Sequence, residues 1–322
     1  MFIKGMTYGW NSTRGDYRRP YALDSLRKLK ETGSEWIALA FYTLQPNVYS
    51  TAIPFDYGTT MTDRDIECAV RHAHELGLKV CLKPVVNSAD GVWRARIGFP
   101  DDEEAQPYWD AWFRSYANFV CHYAELAEEL GCEMLCIGCE MAATEKQTGR
   151  WTALIERVRG LYGGPLAYNA NHGCEEGVAW FDRVDVIGIS AYYPVANGPG
   201  DSEETMVGNW LPVRDKLKRL HAEFDKPVVF MEIGCRSALG CAAMPWDFSH
   251  TELPFSEEEQ ANFYSSALRA FWEESWFAGY FWWDWSVRLY PLEEAKTNTG
   301  FDIYGKKAER VLKEWYAKPR QP

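Results

Sequence analysis

Short, β-prone apolar runs alternate with longer amphipathic stretches along almost the whole chain. The runs predict strands over 2–9, 36–41, 79–84, 133–138, 166–169, 184–190, 227–232 and 279–285. They are continuously apolar rather than alternating, as expected for strands buried on both faces of a parallel sheet. The stretches between them predict helices at about 21–32, 62–76, 104–130, 147–162, 203–224, 256–275 and 305–317. The link from the fifth strand to the sixth has room for a small helix at most, near 175–181. Glu75-Leu76-Gly77 and Glu129-Leu130-Gly131 each end a helix on glycine just before the next strand. Eight strands joined by right-handed helical crossovers close on themselves, so the predicted fold is α/β, a (β/α)8 TIM barrel. No linker, repeat or low-complexity tract interrupts the pattern, and residues 1–322 read as one domain.

Such a barrel needs roughly 250 residues, and the surplus falls in loops at its C-terminal face, where barrel enzymes place their chemistry. The loops after strands two, three, six and seven are long and carry Pro, Gly, Trp and Tyr. Fifteen Trp and eighteen Tyr exceed what a core of this size needs. About half of these rings are expected in the core, given their large buried area; the rest point to a cleft that stacks on sugar faces. The net charge of −12 argues against nucleic acid and anionic membrane as partners and is compatible with a neutral glycan. No signal peptide is visible at the N-terminus, and no apolar run is long enough to span a membrane. Nine cysteines scattered over the chain read as reduced thiols, so a cytoplasmic location is expected, the alternative being a secreted protein whose signal peptide has been removed. The sequence sets no oligomeric state, and a monomer is compatible with it.

Two strands end in glutamate: Met134-Leu135-Cys136-Ile137-Gly138-Cys139-Glu140 and Val228-Val229-Phe230-Met231-Glu232. A carboxylate after such a run is costly to desolvate unless something uses it. Strands four and seven face each other across the mouth of a closed barrel. Two carboxyl groups there, about 5 Å apart, suit a retaining glycosidase mechanism with a covalent intermediate. The competing reading is a pair of salt-bridged or helix-capping glutamates; two of them on these two strands favour catalysis.

The chain resembles the clan A retaining glycoside hydrolases and, among them, family 113, the β-mannanases. The resemblance runs along the whole chain. It is carried by Tyr8-Gly9-Trp10-Asn11, Ile137-Gly138-Cys139-Glu140, Ser190-Ala191-Tyr192-Tyr193-Pro194, Phe230-Met231-Glu232-Ile233-Gly234 and Gly279-Tyr280-Phe281-Trp282-Trp283-Asp284-Trp285. It implies an endo-β-1,4-mannanase acting on mannan, glucomannan or manno-oligosaccharides by double displacement, without a cofactor. Glu140 would then be the acid/base and Glu232 the nucleophile, the first holding a proton at rest and the second ionised. Tyr192 or Tyr193 would donate a hydrogen bond to the nucleophile. They are adjacent, so only one reaches it, and Tyr192 is favoured as a third catalytic residue. Trp10, Tyr193 and Trp283 join the implied substrate-binding set, with Trp283 as the platform under the cleaved sugar. Trp285, of the same strand parity, would extend that platform, while Trp282 packs on the opposite side.

One position departs from the clan pattern. Asn usually precedes the acid/base and holds the sugar 2-hydroxyl, but Cys139 stands here, and a thiol is a poor hydrogen-bond partner. Asn87, Asn169, Asn171 and His172 are the candidates to supply that contact, with Asn87 and Asn171 carried in the substrate-binding set. No metal site is expected. Cys132 and Cys136 share a strand face that Cys139 does not, and His72 and His74 diverge on their helix. No phosphate-binding loop, dinucleotide fingerprint or serine nucleophile elbow is present. The alternatives are another clan A β-glycosidase, such as an exo-acting β-mannosidase or a β-glucanase, and a non-catalytic sugar-binding barrel.

Overall fold

The computed structural model describes residues 2–320; residues 1, 321 and 322 of the expected domain lie outside the described residues. Eight parallel strands form a closed barrel in sequential order. They are β1 (Ile3–Tyr8), β2 (Trp36–Gln45), β3 (Lys79–Ser88), β4 (Met134–Cys139), β5 (Leu166–Asn171), β6 (Val186–Ser190), β7 (Val228–Ile233) and β8 (Phe277–Trp285). The helices are α1 (Pro20–Lys30), α2 (Asp63–Glu75), α3 (Gln106–Glu129), α4 (Thr148–Arg159), α5 (Glu203–Phe224), α6 (Glu257–Phe271) and α7 (Lys307–Tyr316). Between β5 and β6 the crossover helix is replaced by two short 3-10 turns, Glu175–Gly177 and Phe181–Arg183.

The helices start where capping chemistry places them. Thr62 and Asp65 form a reciprocal capping box on α2, and Ser202 and Ser256 each accept an N–H from the first turn of α5 and α6. The second and third strands run further than their apolar runs imply, pairing from Trp36↔Lys79 to Gln45↔Ser88. Pro84 ended the predicted third strand. It is tolerated because β4 pairs with β3 only at Cys81 and Leu82, below the proline.

The barrel interior is a separate apolar layer that includes Ile3, Trp36, Cys81, Met134, Val229, Met231 and Phe281. Gly5 makes room for Phe281, whose Cδ1 lies 2.6 Å from where a Cβ would sit. Above this layer the lumen turns polar, with Lys83, Asn169, Ser190 and Glu232 all buried. The opposite strand faces pack on the helices in one large cluster.

Register shifts decide what reaches the polar layer. From Cys136↔Ala167 to Cys139↔Asn169, three steps of β4 match two of β5. From Ile189↔Phe230 to Ser190↔Glu232, two steps of β7 match one of β6. From Met6↔Trp282 to Tyr8↔Trp285, three steps of β8 match two of β1. Each extra residue reverses the in–out alternation beyond it, as bulges near functional sites do. Glu232 therefore turns inward although Met231 before it already faces the lumen.

Candidate active site

Glu232 accepts four side-chain hydrogen bonds in the lumen and is 3% exposed. Its Oε1 accepts from Lys83 Nζ at 2.5 Å, from Cys139 Sγ at 3.4 Å and from Asn169 Nδ2 at 3.5 Å. Its Oε2 accepts from Tyr192 Oη at 3.0 Å. Burial alone would push this carboxyl up. The charges of Lys83 and Arg94 and the hydrogen bonds from Lys83 and Tyr192 outweigh it and hold the group below its ordinary value. Burial also opposes the Lys83 charge, but the Glu232 carboxylate, through its charge and its hydrogen bond, carries the Lys83 pKa upward. Burial pushes the Cys139 thiol itself far up, so it is neutral and Glu232 is the anion that Lys83 meets.

Glu140 directly follows β4 and lies in the left-handed region at φ 54°, a conformation uncommon outside glycine. Its N–H donates to Asn169 O at 2.7 Å. Its Oε2 receives Arg94 Nη2 at 2.8 Å and Trp93 Nε1 at 3.2 Å. Arg94 also donates through Nη1 to Asn87 Oδ1 at 2.9 Å and through Nη2 to Cys139 Sγ at 3.7 Å. Arg94 and Cys139 thus link the two carboxylates directly.

One wall of the mouth is aromatic. Trp283 and Trp10 are both half-buried and meet edge to face at 5.1 Å, with Tyr42 beyond Trp10 at 5.1 Å. The Arg94 guanidinium lies over the Trp10 ring at 5.6 Å. On the other side, His172 stacks on the exposed ring of Trp246 at 5.7 Å and meets Tyr192 edge-on.

Two residues expected near the sugar, Tyr193 and Trp285, are placed elsewhere. Tyr193 turns away from the carboxylates, donates to Glu175 Oε1 at 2.6 Å and lies under Lys216; as a neighbour of Tyr192, it takes the other direction along the chain. Trp285 is buried, with Nε1 on Ser25 Oγ of α1 at 3.0 Å and its ring against Tyr304. The β8 register shift removes it from the parity of Trp283. Asn171 spends its amide on its own loop, donating to His172 O at 3.0 Å. The parity argument also fails for Cys139, which enters the lumen with Cys136 because of the β4 shift. Among the described residues, no three His, Cys, Asp or Glu side chains gather to hold a metal ion. Trp282 packs outward, stacked on Tyr264 at 3.9 Å.

Lys83, Trp93 and Arg94 are absent from the sequence-derived set, although each bonds a carboxylate. The available signals were a lone lysine inside an apolar strand and a Trp-Arg pair in a long loop of an acidic chain.

With this geometry in place, the chain matches Glycoside Hydrolase Family 113 over residues 6–306. The chain belongs to that family. Three solved structures agree with the assignment. One is a family 113 β-1,4-mannanase, 37% identical with a TM-score of 0.92, the match covering 99% of each chain. Another is a family 113 β-mannanase from Alicyclobacillus acidocaldarius in complex with ManMIm, 40% identical with a TM-score of 0.90, covering 98% of this chain and 97% of that one. A third, a complex of a family 113 β-1,4-mannanase, is 36% identical with a TM-score of 0.90, covering 99% of each chain. No curated protein matches the chain.

For this glycoside hydrolase, the placement of Tyr193 has a measurable consequence. Tyr193→Phe removes a hydrogen bond to a fully buried carboxylate. It is expected to lower stability by about 1.5–3 kcal/mol, read from the denaturant midpoint. Substrate KM should stay within a factor of about two, because a uniform binding contact is not lost. A KM rise of tenfold or more with unchanged stability would return Tyr193 to the sugar site.

Proposed function

We propose that the chain is an endo-acting β-1,4-mannanase that cleaves neutral mannan-type glycans with retention of the anomeric configuration. The observation that carries this reading is the state of Glu232: buried, ion-paired to Lys83 and hydrogen-bonded by Tyr192 in a family 113 chain. An ionised, oriented carboxylate opposite a second carboxyl group fits double displacement.

In this mechanism Glu232 attacks the anomeric carbon from one face while Glu140 protonates the departing glycosidic oxygen. A water deprotonated by Glu140 then releases the sugar. Among the described residues, both polar contacts of the Glu140 carboxyl fall on Oε2, so Oε1 is assigned to the leaving oxygen. Trp283 serves as the platform beneath the cleaved sugar, with Trp10 continuing the wall. Cys139 is committed to Glu232, and Asn169 lies fully buried behind it. Asn87, half-buried and paired with Arg94, is therefore assigned to the 2-hydroxyl contact.

The test is the product profile on β-1,4-mannohexaose, followed from the earliest time points. Internal cleavage to di-, tri- and tetrasaccharides, with the new reducing end appearing first as the β-anomer by NMR, is expected. Release of mannose alone would move the chain to an exo-acting β-mannosidase. Faster cleavage of β-1,4-gluco-oligosaccharides would move it to a β-glucanase, and an initial α-anomer would end the retaining assignment.

A further inference from the structure

The turn that presents Glu140 is held by groups that the mechanism above does not use. Directly after the left-handed Glu140, the Met141 N–H donates to Tyr168 Oη at 3.2 Å. The Tyr168 hydroxyl in turn donates to Glu145 Oε1 at 2.6 Å. All three side chains are buried, Tyr168 completely. Tyr168 comes from β5, whereas Glu145 follows a 3-10 turn (Ala142–Thr144) beyond Glu140. The relay therefore ties the chain on both sides of the turn to a neighbouring strand.

The surroundings make the relay rigid. Trp180 Nε1 donates to Glu145 O at 3.0 Å, and Trp151 Nε1 donates to Thr144 O at 3.0 Å. The two indoles stack at 4.6 Å, and Tyr168 meets them at 5.2 and 4.7 Å. β4 passes so close that a Cβ on Gly138 would lie 2.8 Å from Tyr168 Cε2.

A carboxyl in this cage is costly. Burial pushes Glu145 up, its hydrogen bond from Tyr168 pulls it down, and the nearby Glu175 adds to the rise, leaving it at about 7. A phenylalanine at 168 would fill the same space with no carboxyl needed. What the costly pair supplies is direction. A tyrosine hydroxyl has one proton, and giving it to Glu145 turns a lone pair toward the Met141 N–H. That N–H belongs to the peptide that follows Glu140, so the relay fixes where the Glu140 side chain leaves the backbone.

We propose that Tyr168 and Glu145 are positioning residues for Glu140, holding the turn that aims its carboxyl at the leaving oxygen. The inference rests on the acid/base role assigned to Glu140 above.

The experiment compares aryl β-mannobiosides with a good leaving group (2,4-dinitrophenol) and a poor one (phenol). General acid catalysis matters only for the second, and is worth roughly 10²–10⁴-fold. Tyr168→Phe and Glu145→Leu are expected to lower kcat/KM, which reports the bond-breaking first step, by about 10-fold or more on the phenyl substrate, against under about 3-fold on the dinitrophenyl substrate, because misaim forfeits part of that acid term. On the phenyl substrate, where the first step limits turnover, KM should stay close to wild type. Glu145→Gln keeps an acceptor oxygen for Tyr168 and should restore most of the phenyl activity, and it remains informative if Tyr168→Phe fails to fold. Tyr193→Phe, which breaks a tyrosine–carboxylate bond of the same length one loop away, should show no leaving-group dependence. Equal losses on both substrates in Tyr168→Phe and Glu145→Leu would overturn the proposal, as would Glu145→Gln no better than Glu145→Leu. Glu140→Ala separates this failure from failure of the parent reading: if Glu140→Ala itself shows no leaving-group dependence, the acid/base assignment is what fails.

Discussion

Glu232→Ala is expected to lose turnover of β-1,4-manno-oligosaccharides by about 10⁵-fold, the scale on which a missing nucleophile registers. The loss should be chemical rather than structural. Lys83, Tyr192 and Asn169 all surround the vacated carboxylate position, and they remain as a pocket with an uncompensated positive charge. Azide is small, anionic and nucleophilic, so it fits both the space and the charge. Added azide should restore turnover of a dinitrophenyl mannobioside, and the product should be the α-glycosyl azide, since azide attacks from the side that Glu232 occupied. Glu140→Ala offers the matching contrast: azide then intercepts the glycosyl-enzyme and gives the β-azide. Wild-type activity in Glu232→Ala, or a β-azide from it, would sink the nucleophile assignment.

The barrel was legible because its determinants are local. Eight apolar runs, with glycines ending two of the helices between them, follow an order that a parallel, helix-covered sheet satisfies. The glutamates were legible for a related reason, since a charge closing an apolar strand stands out against its neighbours. What surrounds them depends on register, and register is not written in one strand. Met231 and Glu232 both reach the lumen because β6 and β7 slip against each other, and Trp285 leaves it because β8 and β1 do. Each slip is a property of a pair of strands, and the two-residue period of either sequence alone hides it. Arg94 was hidden differently. It sits in a loop outside any period, and only folding brings it onto Glu140. Lys83 was the readable case that went unread: an ammonium inside Val80-Cys81-Leu82-Lys83-Pro84 is as conspicuous as the two glutamates, and it implied a buried anion across the lumen.

That ammonium carries the second large expectation. In Lys83→Met the side chain keeps its length and loses its charge, and Glu232 loses the first of the influences that oppose its burial. With Lys83 present, the folded-state pKa of Glu232 lies below its unfolded value. The pair therefore contributes stability above the unfolded carboxylate value, about 4.3, and loses it as pH falls through the folded value. Without Lys83, burial dominates and the pKa rises, with Arg94 the remaining positive charge nearby. The sign then reverses: the folded state favours the protonated acid, and the variant loses stability as pH rises through the new, higher value. Near pH 7 the broken buried pair should cost about 3–5 kcal/mol. Catalysis needs the ionised form, so the acid limb of kcat/KM should move to higher pH, with activity at pH 6 down by roughly 10²-fold from lost electrostatic preorganisation. Urea midpoints and kcat/KM measured from pH 4 to 9 on both proteins read the two effects together. An acid limb that stays in place while stability falls would reduce Lys83 to a packing residue. A limb that moves upward, with the stability slope reversed, identifies it as the charge that keeps Glu232 a nucleophile.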